Sequence, residues 1–107
     1  MVENGIRRGT TPYITYTVTD DMDFSNIQTV WLSIAQNGVI IIDKKTEDFT
    51  RVGKTFSLRL SQEETLSLKA GISAYIQMRF YTQTELAYAT DEEYIPVYPI
   101  IKEGVIQ

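Results

Sequence analysis

The sequence predicts an all-β domain: an antiparallel sandwich of two sheets, with about seven strands and one short helical turn near residues 61–68. Three observations predict it. Phe56, Leu58 and Leu60 alternate with Ser57 and Arg59, and Ile72, Ala74, Ile76, Met78 and Phe80 alternate with Ser73, Tyr75, Gln77, Arg79 and Tyr81. Period-two alternation marks strands with one face in a core and one in water. Asn37-Gly38 separates two apolar runs, and this pair is preferred in a type I′ two-residue hairpin turn. Turn signals recur along the chain, and no run carries the sustained helical period of a long helix.

The 107 residues make one domain, long enough to bury a core without disulfide or metal staples. The division expected is an N-terminal arm over 1–11, a sandwich over 12–101 and a tail over 102–107. There is no cysteine, so no disulfide framework exists and the redox compartment stays open. The opening run MVENGIRRGTTP has no apolar leader, so no signal peptide is expected. The longest apolar run, Val39 to Ile42, is far too short to span a bilayer, so no membrane partner is expected. The formal net charge of −4 argues against nucleic acid as partner, because that affinity rests on clustered Lys and Arg. The adjacent pair Arg7-Arg8 reads as part of a solvated arm.

Taken in order, Pro12 lacks a backbone donor and suits the start of a strand. Residues 12–19 follow as that strand, with Ile14, Tyr16 and Val18 on one face and Tyr13, Thr15 and Thr17 on the other. Residues 20–26 are a polar loop with possible caps at Asp23 and Ser25. The Asn37-Gly38 turn then sets a register in which facing residues have numbers summing to 75. One face of this hairpin carries Val30, Leu32, Ile34, Val39 and Ile41. The other carries Trp31, Ser33, Ala35, Ile40 and Ile42. Both faces are apolar, whereas a half-exposed hairpin has only one such face. One face therefore enters the core and the other meets a second layer or a partner, and the pattern does not say which.

Residues 46–51 suggest a short edge strand, and Val52-Gly53-Lys54 a turn into Phe56. Ser61 and Glu64 have capping-box spacing, so one helical turn starts there, with Gly71 able to end it in the left-handed conformation. That link, 61–71, is long enough to cross between sheets, as in immunoglobulin-like folds. Gln83-Thr84-Glu85 closes another hairpin. Asp91-Glu92-Glu93 interrupts the last strand, and Tyr94 to Ile101 resumes it. Pro96 and Pro99 cannot donate to a ladder, so this segment lies on an edge or leaves the sheet.

The chain has neither histidine nor cysteine, which removes Ser-His, Cys-His and His-metal arrangements together. The carboxylates fall in loops, and no spacing singles out an acid–base pair. Glu64 is read as a capping residue before a catalytic one. Asp21, Asp23 and Ser25 have the alternate spacing of the first ligands of an EF-hand loop. The match fails at Asn26, where glycine is needed, and at Leu32, where a bidentate Glu is needed, so an acidic turn is the reading. No phosphate-cradling glycine motif occurs. No catalytic residue, cofactor or metal is therefore expected. Candidate interface residues are Trp31, Ile40 and Ile42 from the hairpin, and Tyr75, Arg79 and Tyr81 from the strand after the link. The tyrosine and arginine set also resembles an aromatic platform of the kind that stacks ligands.

The runs IRRGTTPYITYTV, WLSIAQNGVIIIDK, KTFSLRLSQEETLSLKAG and IQMRFYTQTELAYAT resemble small structural proteins encoded in phages and prophages of Gram-positive bacteria. The strand–LSQEET–strand element looks like that of the immunoglobulin-like N-terminal domain of phage baseplate upper proteins. The resemblance implies an immunoglobulin-like sandwich, non-enzymatic, that packs against itself or other phage structural proteins. It implies a virion location after assembly in the host cytoplasm. The alternative is a small module that recognises a glycan or peptide at a host surface.

Overall fold

The computed structural model describes residues 5–18 and 26–107. Ten strand segments build the fold: β1 (Ile6–Arg7), β2 (Tyr13–Thr17), β3 (Ile27–Gln36), β4 (Val39–Lys45), β5 (Thr50–Val52), β6 (Thr55–Arg59), β7 (Ala74–Thr82), β8 (Ala87–Ala89), β9 (Glu93–Ile95) and β10 (Val97–Tyr98). Among the described residues the one α-helix, α1, spans Gln62–Leu66, and a 3-10 turn spans Thr46–Asp48. Eight of the strands form two layers, and β1 with β10 makes a separate two-stranded sheet. One layer runs β2-β6-β5. The other runs β4-β3-β7, with β8 and β9 both on the far edge of β7. All pairings within these layers are antiparallel, so the fold is the expected all-β sandwich.

The strand alternation does what its period requires. Ile14, Tyr16, Phe56 and Leu58 from the first layer share one buried cluster with Val30, Leu32, Ile34, Ala74, Ile76, Met78 and Phe80 from the second. In the central pair, Val30 faces Phe80, Leu32 faces Met78 and Ile34 faces Ile76. The 61–71 link crosses between the layers. Ser61 caps α1 by accepting from the Glu64 N–H, while Glu64 accepts from the Ser61 N–H, completing the capping box. Gly71 has φ +79°, as expected, but it does not end the helix. Ser67 does, its N–H reaching Glu63 and Glu64 carbonyls, and Gly71 turns the loop later instead.

Two further features depart from expectation. The first is the arm. Ile6, inside 1–11, is fully buried, and β1 pairs in parallel with β10, while the Ile6 N–H donates to the Pro96 carbonyl at 2.9 Å. Ile6, Ile95 and Val97 close the open side of the core. The Arg8 guanidinium donates to the Leu66 and Leu68 carbonyls at the end of α1 and to Glu103. It therefore satisfies carbonyls that a helix end leaves orphaned. The tail is also engaged: the Gln62 side-chain amide donates to the Ile106 carbonyl and accepts from its N–H.

The second departure is the hairpin register. Asn37 and Gly38 take φ 53° and 76°, the positive pair of a type I′ turn, and Gln36 faces Val39 as predicted. A bulge then intervenes, so Ile34 faces Ile42 rather than Ile41. An extra residue in one strand shifts the phase of everything beyond it. Ile42 is thereby turned into the core, 3% exposed, and Ile41 is only partly covered. The last strand is divided as the turn residues suggested. Thr90 is buried in the break, donating its N–H to the Met78 carbonyl and accepting at its hydroxyl from the Met78 N–H.

Candidate functional site

The outer face of the β4-β3-β7 layer collects most of the residues singled out from the sequence. Trp31, Tyr75, Arg79 and Tyr81 occupy odd-numbered positions of β3 and β7, which alternation turns away from the core, and Ile40 joins them from β4. Trp31 faces Arg79, Ser33 faces Gln77 and Ala35 faces Tyr75 across the central pair, and Tyr81 lies further along. Trp31 is 42% exposed and Ile40 57%, so the tryptophan belongs to the outer face and not to the core. Ile42 is not part of this face, for the reason given by the bulge.

The face is concave. Trp31, Ser33, Ala35, Ile40, Asp43, Tyr75, Gln77, Arg79 and Glu92 border a depression of about 430 Å³. Ser33 and Gln77, both half-buried, lie between the bulkier Trp31–Arg79 and Ala35–Tyr75 pairs. Ser33 donates its hydroxyl to Asp43 Oδ1 at 2.7 Å, which orients that carboxylate at one side of the depression. Glu92, from the break between β8 and β9, borders the other side. The Gln77 amide donates to the Thr90 carbonyl and ties that break to β7. Tyr94 extends the aromatic surface, meeting Tyr75 edge-on with ring centroids 6.2 Å apart.

Charge is distributed unequally. Arg7, Arg8, Arg51 and Arg59 each donate to a backbone carbonyl. Among the described residues the Arg79 side chain makes no hydrogen bond or ion pair, although it lies in the middle of the aromatic surface. Asp43, Glu92 and Tyr94 were missed by the sequence reading. Asp43 becomes visible only once the bulge sets its phase. Glu92 and Tyr94 depend on how the chain re-enters the sheet after Thr90.

A second constellation is structural. Glu64 pairs with Lys44 of β4 while capping α1. Burial of its carboxyl opposes ionisation, but the hydrogen bonds from Lys44 and the Ser61 N–H, with the Lys44 charge, outweigh it and hold the group below the ordinary carboxylate range. The runs RRGTTP and LSQEET meet here. The Thr65 hydroxyl donates to the Thr10 carbonyl at 2.8 Å, and the Leu60 N–H to the Pro12 carbonyl at 3.0 Å. The acidic spacing of Asp21, Asp23 and Ser25 lies outside the described residues. Among the described residues no three acidic side chains converge in a metal-binding group, and no helix is long and apolar enough to cross a membrane.

No protein-family model matches the chain, and neither a curated protein nor a solved structure does.

Proposed function

We propose that the chain is a non-enzymatic structural module of a phage or prophage particle, which works by packing the outer face of its larger sheet against another virion protein surface. The observation that carries this reading is the combination at that face: Trp31, Ile40, Tyr75, Tyr81 and Tyr94 all exposed around an uncommitted Arg79. Aromatics and arginine are the residues enriched where protein surfaces meet, because they bring large area at little conformational cost. The resemblance of the RRGTTP and LSQEET runs to phage structural proteins supports the compartment.

The test is the composition of purified particles from an induced host. Mass spectrometry finds the wild-type chain in the particles, and a Trp31→Glu chain that keeps the wild-type circular dichroism and melting temperature is lost from them. Absence of the wild-type chain from particles overturns the reading. Trp31 is the single tryptophan, so its fluorescence reports directly on this face. Saturable quenching of it by chito-oligosaccharides, with particle incorporation of Trp31→Glu unchanged, replaces packing with the glycan-binding alternative.

A further inference from the structure

Two neighbouring rows of side chains cross the strands of the outer face. In the first, Lys45 of β4, Trp31 of β3 and Arg79 of β7 stand side by side. In the second, Asp43, Ser33 and Gln77 stand side by side on the same three strands. Glu92 borders the depression at the β7 end of that second row. The first row is bulky and carries two cations. The second has a small hydroxyl at its centre and carboxylates towards its two ends.

We propose that the partner of this face is a second copy of the chain, packed face to face about a two-fold axis that lies across the strands, between these two rows. This rests on the packing reading above and names its partner. A half-turn about such an axis keeps every strand in its own column and exchanges the rows. Trp31 then sits over Ser33 of the second copy, in the depression. Lys45 comes opposite Asp43 of the second copy, and Arg79 comes beside its Glu92. In an isologous contact every one of these pairings occurs twice. Rows on one face of a strand are about 6.6 Å apart, so the exchange is a displacement of a few ångströms and leaves the aromatic groups Tyr75 and Tyr94 at the border of the contact.

A second copy fits better than another protein because one surface carries both halves of the match. Ridge and groove are adjacent rows, and so are the cations and the carboxylates. The commitments of the side chains agree. Arg79 has no partner among the described residues, the Asp43 carboxylate is held by a neutral hydroxyl only, and Lys45 makes one exposed pair with Glu47 at 3.5 Å. Complementary charge of this kind fixes register and suppresses other partners.

Sedimentation equilibrium of the full chain tests it. The wild type sediments as twice the chain mass in a concentration-dependent way. Arg79→Glu and Glu92→Arg each weaken self-association by roughly tenfold or more, the scale of a lost charge pair replaced by repulsion. The double variant carrying both changes regains it, because the pair is restored with its signs exchanged. Circular dichroism of each variant confirms folding, as both positions are exposed. A wild type that remains one chain in mass at every concentration overturns the proposal, and so does a dimer indifferent to both single changes. These outcomes are separable from those of the particle test. A monomer that still enters particles removes the second copy and leaves the packing role. A dimer absent from particles does the reverse.

Discussion

Phe56 of β6 and Phe80 of β7 meet across the two layers, their rings 5.5 Å apart between centroids and inclined at 48°. They tie the two sheets together, and Phe49 adds an edge-on ring to Phe56 at 6.1 Å. Both central side chains are essentially inaccessible to water.

Truncation should therefore separate core from surface sharply. Phe80→Ala is expected to cost ~3–5 kcal/mol and Leu58→Ala ~2–5 kcal/mol, from lost transfer energy and the cavity left behind. Arg59→Ala is expected to cost about 1 kcal/mol or less, since its bond to the Thr11 carbonyl and its stacking on Tyr13 are exposed. Urea denaturation of the three variants measures this. Equal losses at Leu58 and Arg59 would contradict the face assignment.

The bulge in β4 makes a prediction that a regular hairpin would reverse. Ile42→Glu places a charge in the core and should unfold the domain, whereas Ile40→Glu should leave its melting temperature within a few degrees of wild type. Thermal melts followed by circular dichroism distinguish the two. A tolerated Ile42→Glu would mean that the hairpin is unbulged.

Gln36 is 4% exposed at an inward position of β3, where the alternation calls for an apolar residue. Its amide donates to the Lys69 and Ile72 carbonyls and accepts from the Lys69 N–H at 2.8 Å, so it clamps the link between the sheets. Gln36→Leu keeps the volume but orphans these groups, and should cost roughly 1–3 kcal/mol. Hydrogen exchange at the Lys69 amide should accelerate in the variant. An unchanged Lys69 rate would show that the clamp does not hold the loop.

Glu64 sets a pH dependence. Its pKa is lowered in the folded chain, so its contribution to stability is complete above the unfolded value, about 4.3, and is lost as pH falls through the folded one. The gap in unfolding free energy between wild type and Glu64→Gln should be constant near neutrality and shrink below about pH 4.3. Denaturant titrations at a series of pH values check it, and a gap that widens in acid would reverse the sign.

The sequence by itself determined whatever depends on neighbours along the chain. Asn37-Gly38 set the turn because its two positive φ angles are local properties of those residues. Ser61 and Glu64 set the start of α1 because a capping box closes within four residues. The alternation in β6 and β7 set which side chains enter the core. The same alternation put Tyr75, Arg79 and Tyr81 on a single face, whereas Trp31 joins them only through the pairing of β3 with β7.

Tertiary structure decided what depends on partners distant in sequence. Ile6 reads as part of a polar arm, and it is buried only because β10, some ninety residues later, supplies its ladder and the cover for it. Arg8 reads as a solvated charge until the end of α1 presents it with carbonyls. The exchange of Ile42 for Ile41 follows from one extra residue in β4, which no periodicity announces, because a bulge is stabilised by the sheet it joins and not by the residue that forms it. The outer face owes its depression to the same cause: Glu92 reaches it only after Thr90 has bonded to Met78 and re-aimed the last strand. Local signals are carried by backbone preferences within a few residues, whereas burial and register are settled by contacts that exist only after the chain has closed on itself.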